Sequence, residues 1–162
     1  MSSKPSLKTL KVPARKMVQV GDQDLVTQRP LFSNGPLPLV IEPAVPALDL
    51  AGWAKEHQAE LEPLLLKHGA VLFRGFDVRT VEAFQTVTEA LSSELLEYRE
   101  RSSPRSRVEG NVYTSTDYPP DQPIFLHNEN SYQKAFPRKT FFSCRVEPTV
   151  GGETPLADVR RV

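Results

Sequence analysis

The sequence predicts an α+β chain built from short elements, and three features point there. Two stretches, 49–67 and 80–91, carry helix caps followed by apolar residues at spacings of three and four. Several apolar runs of four to seven residues are too short for helices and are bounded by turn-forming residues. Fifteen prolines in 162 residues interrupt everything else, so long regular helices are not expected.

Met1 to Arg15, rich in Ser, Lys and Pro, reads as a mobile arm. Lys16–Val20 and Leu37–Ile41 are predicted strands, with Ser33-Asn34-Gly35-Pro36 as a loop between them. Asp49 is a suitable helix N-cap, and Leu50, Trp53, Ala54, His57 and Leu61 form one stripe to be buried. Pro63 is expected to kink or restart this helix, which runs to about Lys67. Gly69 is the expected stop and Ala70–Phe73 the next strand. His57 and His68 then belong to the framework, since neither has an acidic residue two positions on.

A second helix follows Thr80, with Val81, Phe84, Val87, Thr88 and Leu91 on one side. Glu94–Arg107 is highly charged and reads as a solvated loop or as a mobile segment bordering a substrate entrance. Tyr113–Thr116 looks like a strand, Asp117–Asp121 a rigid connection, and Thr140–Val146 a further strand ending near the Gly151-Gly152 turn.

Bulk composition narrows the function classes. Twenty basic residues balance twenty acidic ones, which gives no electrostatic case for nucleic acid. A lone Cys144 excludes an internal disulfide and suits a reducing cytoplasm. No apolar run approaches a membrane span, and Met1–Lys11 lacks the core of a signal peptide.

The chemistry concentrates at His127-Asn128-Glu129, behind the apolar run Ile124-Phe125-Leu126. On an extended backbone, side chains at i and i+2 leave the same face, so an imidazole and a carboxylate can approach one ion together. One nitrogen and one oxygen suit Fe(II) in the arrangement of two histidines and one carboxylate, with three positions left open. Glu129 fills the position a halogenase would leave vacant for halide, so a hydroxylase-type site is expected. With three histidines and twenty acidic residues, an H-x-[DE] tripeptide arises by chance in roughly a third of such chains. Its context carries the weight.

That context is a series of ordered blocks: Leu37-Pro38-Leu39-Val40-Ile41, His68 to Phe76, Tyr113 to Pro119, His127 to Tyr132, and Gly151-Gly152-Glu153-Thr154-Pro155. Together they resemble the taurine dioxygenase-like superfamily of iron- and 2-oxoglutarate-dependent enzymes. The branch is the one with Glu in the metal motif, including clavaminate synthase-like enzymes and amino-acid hydroxylases of nonribosomal peptide pathways such as syringomycin's. The resemblance runs from about Leu37 to Val162.

It implies that His127 and Glu129 bind Fe(II), and that Thr154 contacts a carboxylate of 2-oxoglutarate. A hydroxyl just past a Gly-Gly turn is well placed for an anionic ligand. With O2 as the other cosubstrate, 2-oxoglutarate would be decarboxylated to succinate while an unactivated carbon is hydroxylated. The implied substrate is a small molecule, an amino acid either free or tethered to a carrier protein, in secondary metabolism.

The implied fold is a jelly-roll, cupin-like double-stranded β-helix flanked by helices. Residues 16–162 would be the N-terminal, incomplete part of the catalytic domain. In the family the distal histidine ligand and the arginine that clamps 2-oxoglutarate lie beyond the Gly-Gly-Glu-Thr block, and neither Arg160 nor Arg161 aligns with that arginine. The alternative is therefore a catalytically silent fragment or noncatalytic binding module. Unpaired sheet edges would favour self-association.

Overall fold

A computed structural model describes residues 25–92, 94–96, 105–115, 119 and 122–161. The predicted arm 1–15, the strand Lys16–Val20 and most of Asp117–Asp121 lie outside those residues.

Strands β1 (Val26–Phe32) and β2 (Gly35–Pro43) form an antiparallel hairpin closed at Ser33-Asn34. The expected loop 33–36 is thus a tight turn whose second half already belongs to β2. β1 was not expected from the sequence, because Thr27, Gln28, Arg29 and Pro30 give it no apolar alternation. It tolerates Pro30 because it lies at the sheet edge, where a missing N–H leaves no ladder partner wanting. Arg29 instead forks onto Glu42 of β2, with Nε 2.9 Å and Nη2 3.2 Å from its carboxylate oxygens. That pair raises the Arg29 pKa and lowers that of Glu42, in each case first through the hydrogen bond.

β2 is the central strand, buried continuously from Pro38 to Ile41. On its other side β3 (Val71–Phe73) runs parallel, in the order β1–β2–β3. A parallel pair needs a crossover, which helices α1 (Leu50–Glu56) and α2 (Gln58–His68) supply. Leu39 and Ile41 of β2 meet Leu50, Trp53, Ala54 and Leu61 of the helices, together with Val87, in a buried cluster.

Asp49 caps α1 by accepting from the N–H groups of Ala51 and Gly52, each at 3.1 Å. The predicted break at Pro63 is displaced to His57, which has φ −105° and ψ 16°. Restarting the helix there puts Pro63 inside α2, where only the one bond to the Ala59 carbonyl is lost. Gly69 ends α2 in the left-handed region, φ 79°, and its N–H reaches the Leu65 carbonyl at 2.8 Å.

Thr80 Oγ1 accepts from the Ala83 N–H at 3.1 Å and starts α3 (Val81–Leu91), whose Val87 and Thr88 are buried. A small hairpin of β4 (Arg107–Glu109) and β5 (Val112–Tyr113) follows, so the strand expected over Tyr113–Thr116 is shorter and begins earlier. Asn111 Nδ2 donates to the Leu95 carbonyl at 3.0 Å and ties the turn back toward the end of α3.

Residues 122–161 contain no ladder among the described residues, only a short 3-10 turn at Val159–Arg161. The strand expected over Thr140–Val146 is therefore not formed. β-propensity expresses itself only against a neighbouring strand, and no described segment pairs with this run. The observed class is α+β, with three helices and two small sheets among the described residues. No helix among the described residues is long and apolar enough to cross a membrane.

Candidate metal centre

Ile124, Phe125 and Leu126 lead into the motif from solvent, with Phe125 81% exposed. His127 turns its ring back on this run, and Nδ1 lies 2.7 Å from the Phe125 carbonyl oxygen. A carbonyl only accepts, so Nδ1 donates its N–H there, and in the neutral tautomer that this bond selects Nε2 carries the lone pair. That atom lies 3.8 Å from Glu129 Oε2.

The pair fits a cation on this observation. In that tautomer two electron-pair donors stand 3.8 Å apart, too far for a hydrogen bond. A first-row metal holds N and O ligands at about 2.1 Å, so a right-angled pair stands about 3 Å apart. Closing by less than about 1 Å brings both atoms into one coordination sphere.

Glu129 is also held from behind. Its Oε1 accepts from Arg105 Nη2 at 2.6 Å, and both side chains are mostly shielded, at 18% for Arg105 and 22% for Glu129. Immediately after it, Asn130 adopts φ 54° and opens a turn closed by Gln133 N–H on the Asn130 carbonyl at 3.1 Å. Asparagine tolerates that left-handed conformation better than most residues. Sequence reading left Arg105 inside a charged loop. The signal that could have located it is Glu109-Gly110-Asn111 between Val108 and Val112, a hairpin pattern that starts an ordered element two residues after Arg105.

The other two histidines are committed elsewhere. His57 stacks on Trp53, with centroids 4.5 Å apart and an interplanar angle of 17°, and its Nδ1 lies 2.7 Å from the Trp53 carbonyl oxygen. His68 Nδ1 lies 2.9 Å from the Pro36 carbonyl oxygen. Among the described residues, no group of three or more His, Cys, Asp or Glu side chains could hold a metal.

Thr154 is exposed, and no hydrogen bond ties it to His127 or Glu129 among the described residues. The preceding turn is real: Gly151 and Gly152 have φ 70° and 79°, and a Cβ on Gly152 would fall 2.4 Å from Pro148 Cγ. Arg160 is occupied away from the pair. It forks onto Asp158 at 2.7 and 2.8 Å and donates to the Leu66 and Lys67 carbonyls at 2.6 and 3.3 Å. The Arg160 hydrogen bonds hold the Asp158 carboxyl down at about 2.

An open cleft of about 1400 Å³ lies between α3, the β4–β5 hairpin and residues 133–145. Arg105, which holds Glu129, and Asn130, which follows it, line this cleft.

The chain is similar to known proteins over most of its length. The chain is 40% identical over 139 residues to a clavaminate synthase-like protein of Arabidopsis thaliana, covering 81% of this chain and 42% of the relative. It is 35% identical over 134 residues to the dapdiamide synthesis protein DdaC of Enterobacter agglomerans, covering 83% and 40% respectively. The chain thus spans about two-fifths of the length of these relatives. The profile described as taurine catabolism dioxygenase TauD, TfdA family matches residues 33–162, most of the sequence, and the chain belongs to that family.

Proposed function

We propose that this chain provides the His-x-Glu limb of an Fe(II)- and 2-oxoglutarate-dependent oxygenase. The reaction is hydroxylation of an unactivated carbon of a small molecule, an amino acid free or carrier-bound, in secondary metabolism. The observation that carries the reading is the convergence of His127 Nε2 and Glu129 Oε2 with the ring proton tied back to Phe125. Family membership supports the oxygenase class, and the relative named for dapdiamide synthesis supports amino-acid-derived chemistry.

In this reading His127 contributes a neutral nitrogen and Glu129 one negative oxygen. His127 and Glu129 would hold the iron as two of its ligands. Iron held there, with 2-oxoglutarate and O2, would supply the oxidising power, 2-oxoglutarate being oxidised to succinate and CO2 as the substrate carbon is hydroxylated. Thr154 donates its hydroxyl to a 2-oxoglutarate carboxylate. The jelly-roll of the family is the proposed setting, the cytoplasm the proposed compartment, and nucleic acid is not a partner. The free, exposed Cys144 accords with a reducing environment. Exposed Phe125, Phe142 and Val150 favour self-association.

The test is succinate release from 2-oxoglutarate with Fe(II) and candidate amino acids. His127→Ala is expected to lower release more than about 100-fold, since loss of even an outer-sphere partner costs 10–100-fold. Release that survives the substitution removes His127 from the site.

A further inference from the structure

We infer that Arg105 is a positioning residue for the metal carboxylate: it holds Glu129 Oε1, leaves Oε2 alone facing His127 Nε2, and so keeps Glu129 a one-oxygen ligand. The inference rests on the metal reading above.

Glu129 is a long side chain next to a turn, and freezing its rotamers costs entropy that an isolated carboxylate would have to bear when the metal arrives. Arg105 removes that cost in advance. Its own backbone is anchored, because the adjoining Ser106 donates its N–H to Thr114 Oγ1 at 2.9 Å while its carbonyl accepts the Thr114 N–H at 2.8 Å. The β4–β5 hairpin thus fixes the base of Arg105, and a 2.6 Å charge-assisted bond carries that order to the carboxylate. Glu129 is far less exposed than His127, 22% against 58%.

The consequence is stereochemical. A carboxylate free at both oxygens can chelate a metal and occupy two positions. Two nitrogens and a chelating carboxylate would leave only two open positions of six, too few for a bidentate oxo acid and O2. With Oε1 committed to the guanidinium, Glu129 would offer a metal only Oε2 and so would fill one position.

An opposing effect makes the sign informative. A guanidinium near a dication repels it, so if charge were Arg105's whole contribution, removing it would tighten metal binding. Positioning predicts the reverse.

The measurement is Mn(II) binding to the full chain, followed by the electron paramagnetic resonance signal of free Mn(II). Arg105→Gln is expected to weaken binding about 10–100-fold, the usual range for an outer-sphere partner. Arg105→Lys, which keeps the charge but not the fork, should fall between. Wild-type or tighter binding by Arg105→Gln overturns the inference.

Should Arg105→Gln lose its helical circular dichroism, Thr114→Val decides. It removes the Oγ1 that accepts the Ser106 N–H, leaves Arg105 itself untouched, and is expected to weaken binding by about 3–10-fold. Unchanged affinity there overturns the inference equally. His127→Ala separates the two levels of the reading. If it abolishes binding while Arg105→Gln does not weaken it, only the role of Arg105 fails. If wild type binds no Mn(II), or His127→Ala binds as well as wild type, the metal centre itself fails.

Discussion

His57 offers the sharpest separation between a structural and a liganding histidine. It is 9% exposed, lies flat on Trp53 at 4.5 Å, and places Nδ1 2.7 Å from the Trp53 carbonyl oxygen at the break between α1 and α2. His57→Phe keeps an aromatic ring there and loses the polar contact, a cost of about 1 kcal/mol. His57→Ala loses the stack as well, worth about 0.5–1.5 kcal/mol, and leaves a cavity, for a total of about 2–4 kcal/mol. At roughly 3 °C per kcal/mol for a chain of this size, the expected fall in Tm is about 6–12 °C for Ala and about 3 °C for Phe. Thermal unfolding by circular dichroism reads those shifts, and an Mn(II) titration of the Phe variant should match wild type. An unshifted Tm for His57→Ala would refute the packing argument. Loss of Mn(II) binding in a folded His57→Phe would make His57 a ligand.

Two further outcomes follow from local geometry. Asp49→Ala strands the N–H groups of Ala51 and Gly52 and should cost about 1 kcal/mol in denaturant unfolding, while Asp49→Asn should cost a few tenths. Asp158, held at about 2 against an ordinary 3.8, favours the folded arrangement above about pH 4, and that contribution is lost as pH falls through about 2. A carboxyl-carbon NMR titration should show the low midpoint, and Arg160→Gln should return it toward 3.8.

What was legible in the sequence was local. Asp49, Thr80 and Gly69 announce helix ends through bonds that span four residues or fewer, and the structure places all three as caps. That His127 and Glu129 can share a face follows from the two-residue period of an extended backbone, but in the structure Arg105 and the Phe125 carbonyl orient the two side chains. Non-local facts were not legible. β1 is polar, proline-bearing and stabilised by its register against β2, so no internal pattern marks it. Thr140–Val146 has the composition of a strand without a described neighbour to pair with. Arg105 meets Glu129 across 24 residues, and no spacing rule connects the two.

The contacts that fasten 122–161 to the rest explain why its pattern misleads. Hydrophobic periodicity reports burial, yet the buried cluster lies wholly between Leu39 and Val87, while the later segment exposes Phe125, Phe136, Phe142 and Val150. Among the described residues, three cations carry attachment across that divide. Arg105 reaches Glu129; Lys139 reaches Glu62 at 2.5 Å and the Leu91 carbonyl at 3.4 Å; Arg160 reaches the carbonyls of Leu66 and Lys67. The last two use unsatisfied carbonyls at the C-terminal ends of α3 and α2, where positive charge is favoured. Such ties fix single points and impose no register between them. Side-chain order along this segment therefore depends on each residue's own contact. Glu129 draws its orientation from Arg105 on the hairpin, whereas His127 draws its own from the Phe125 carbonyl two residues back.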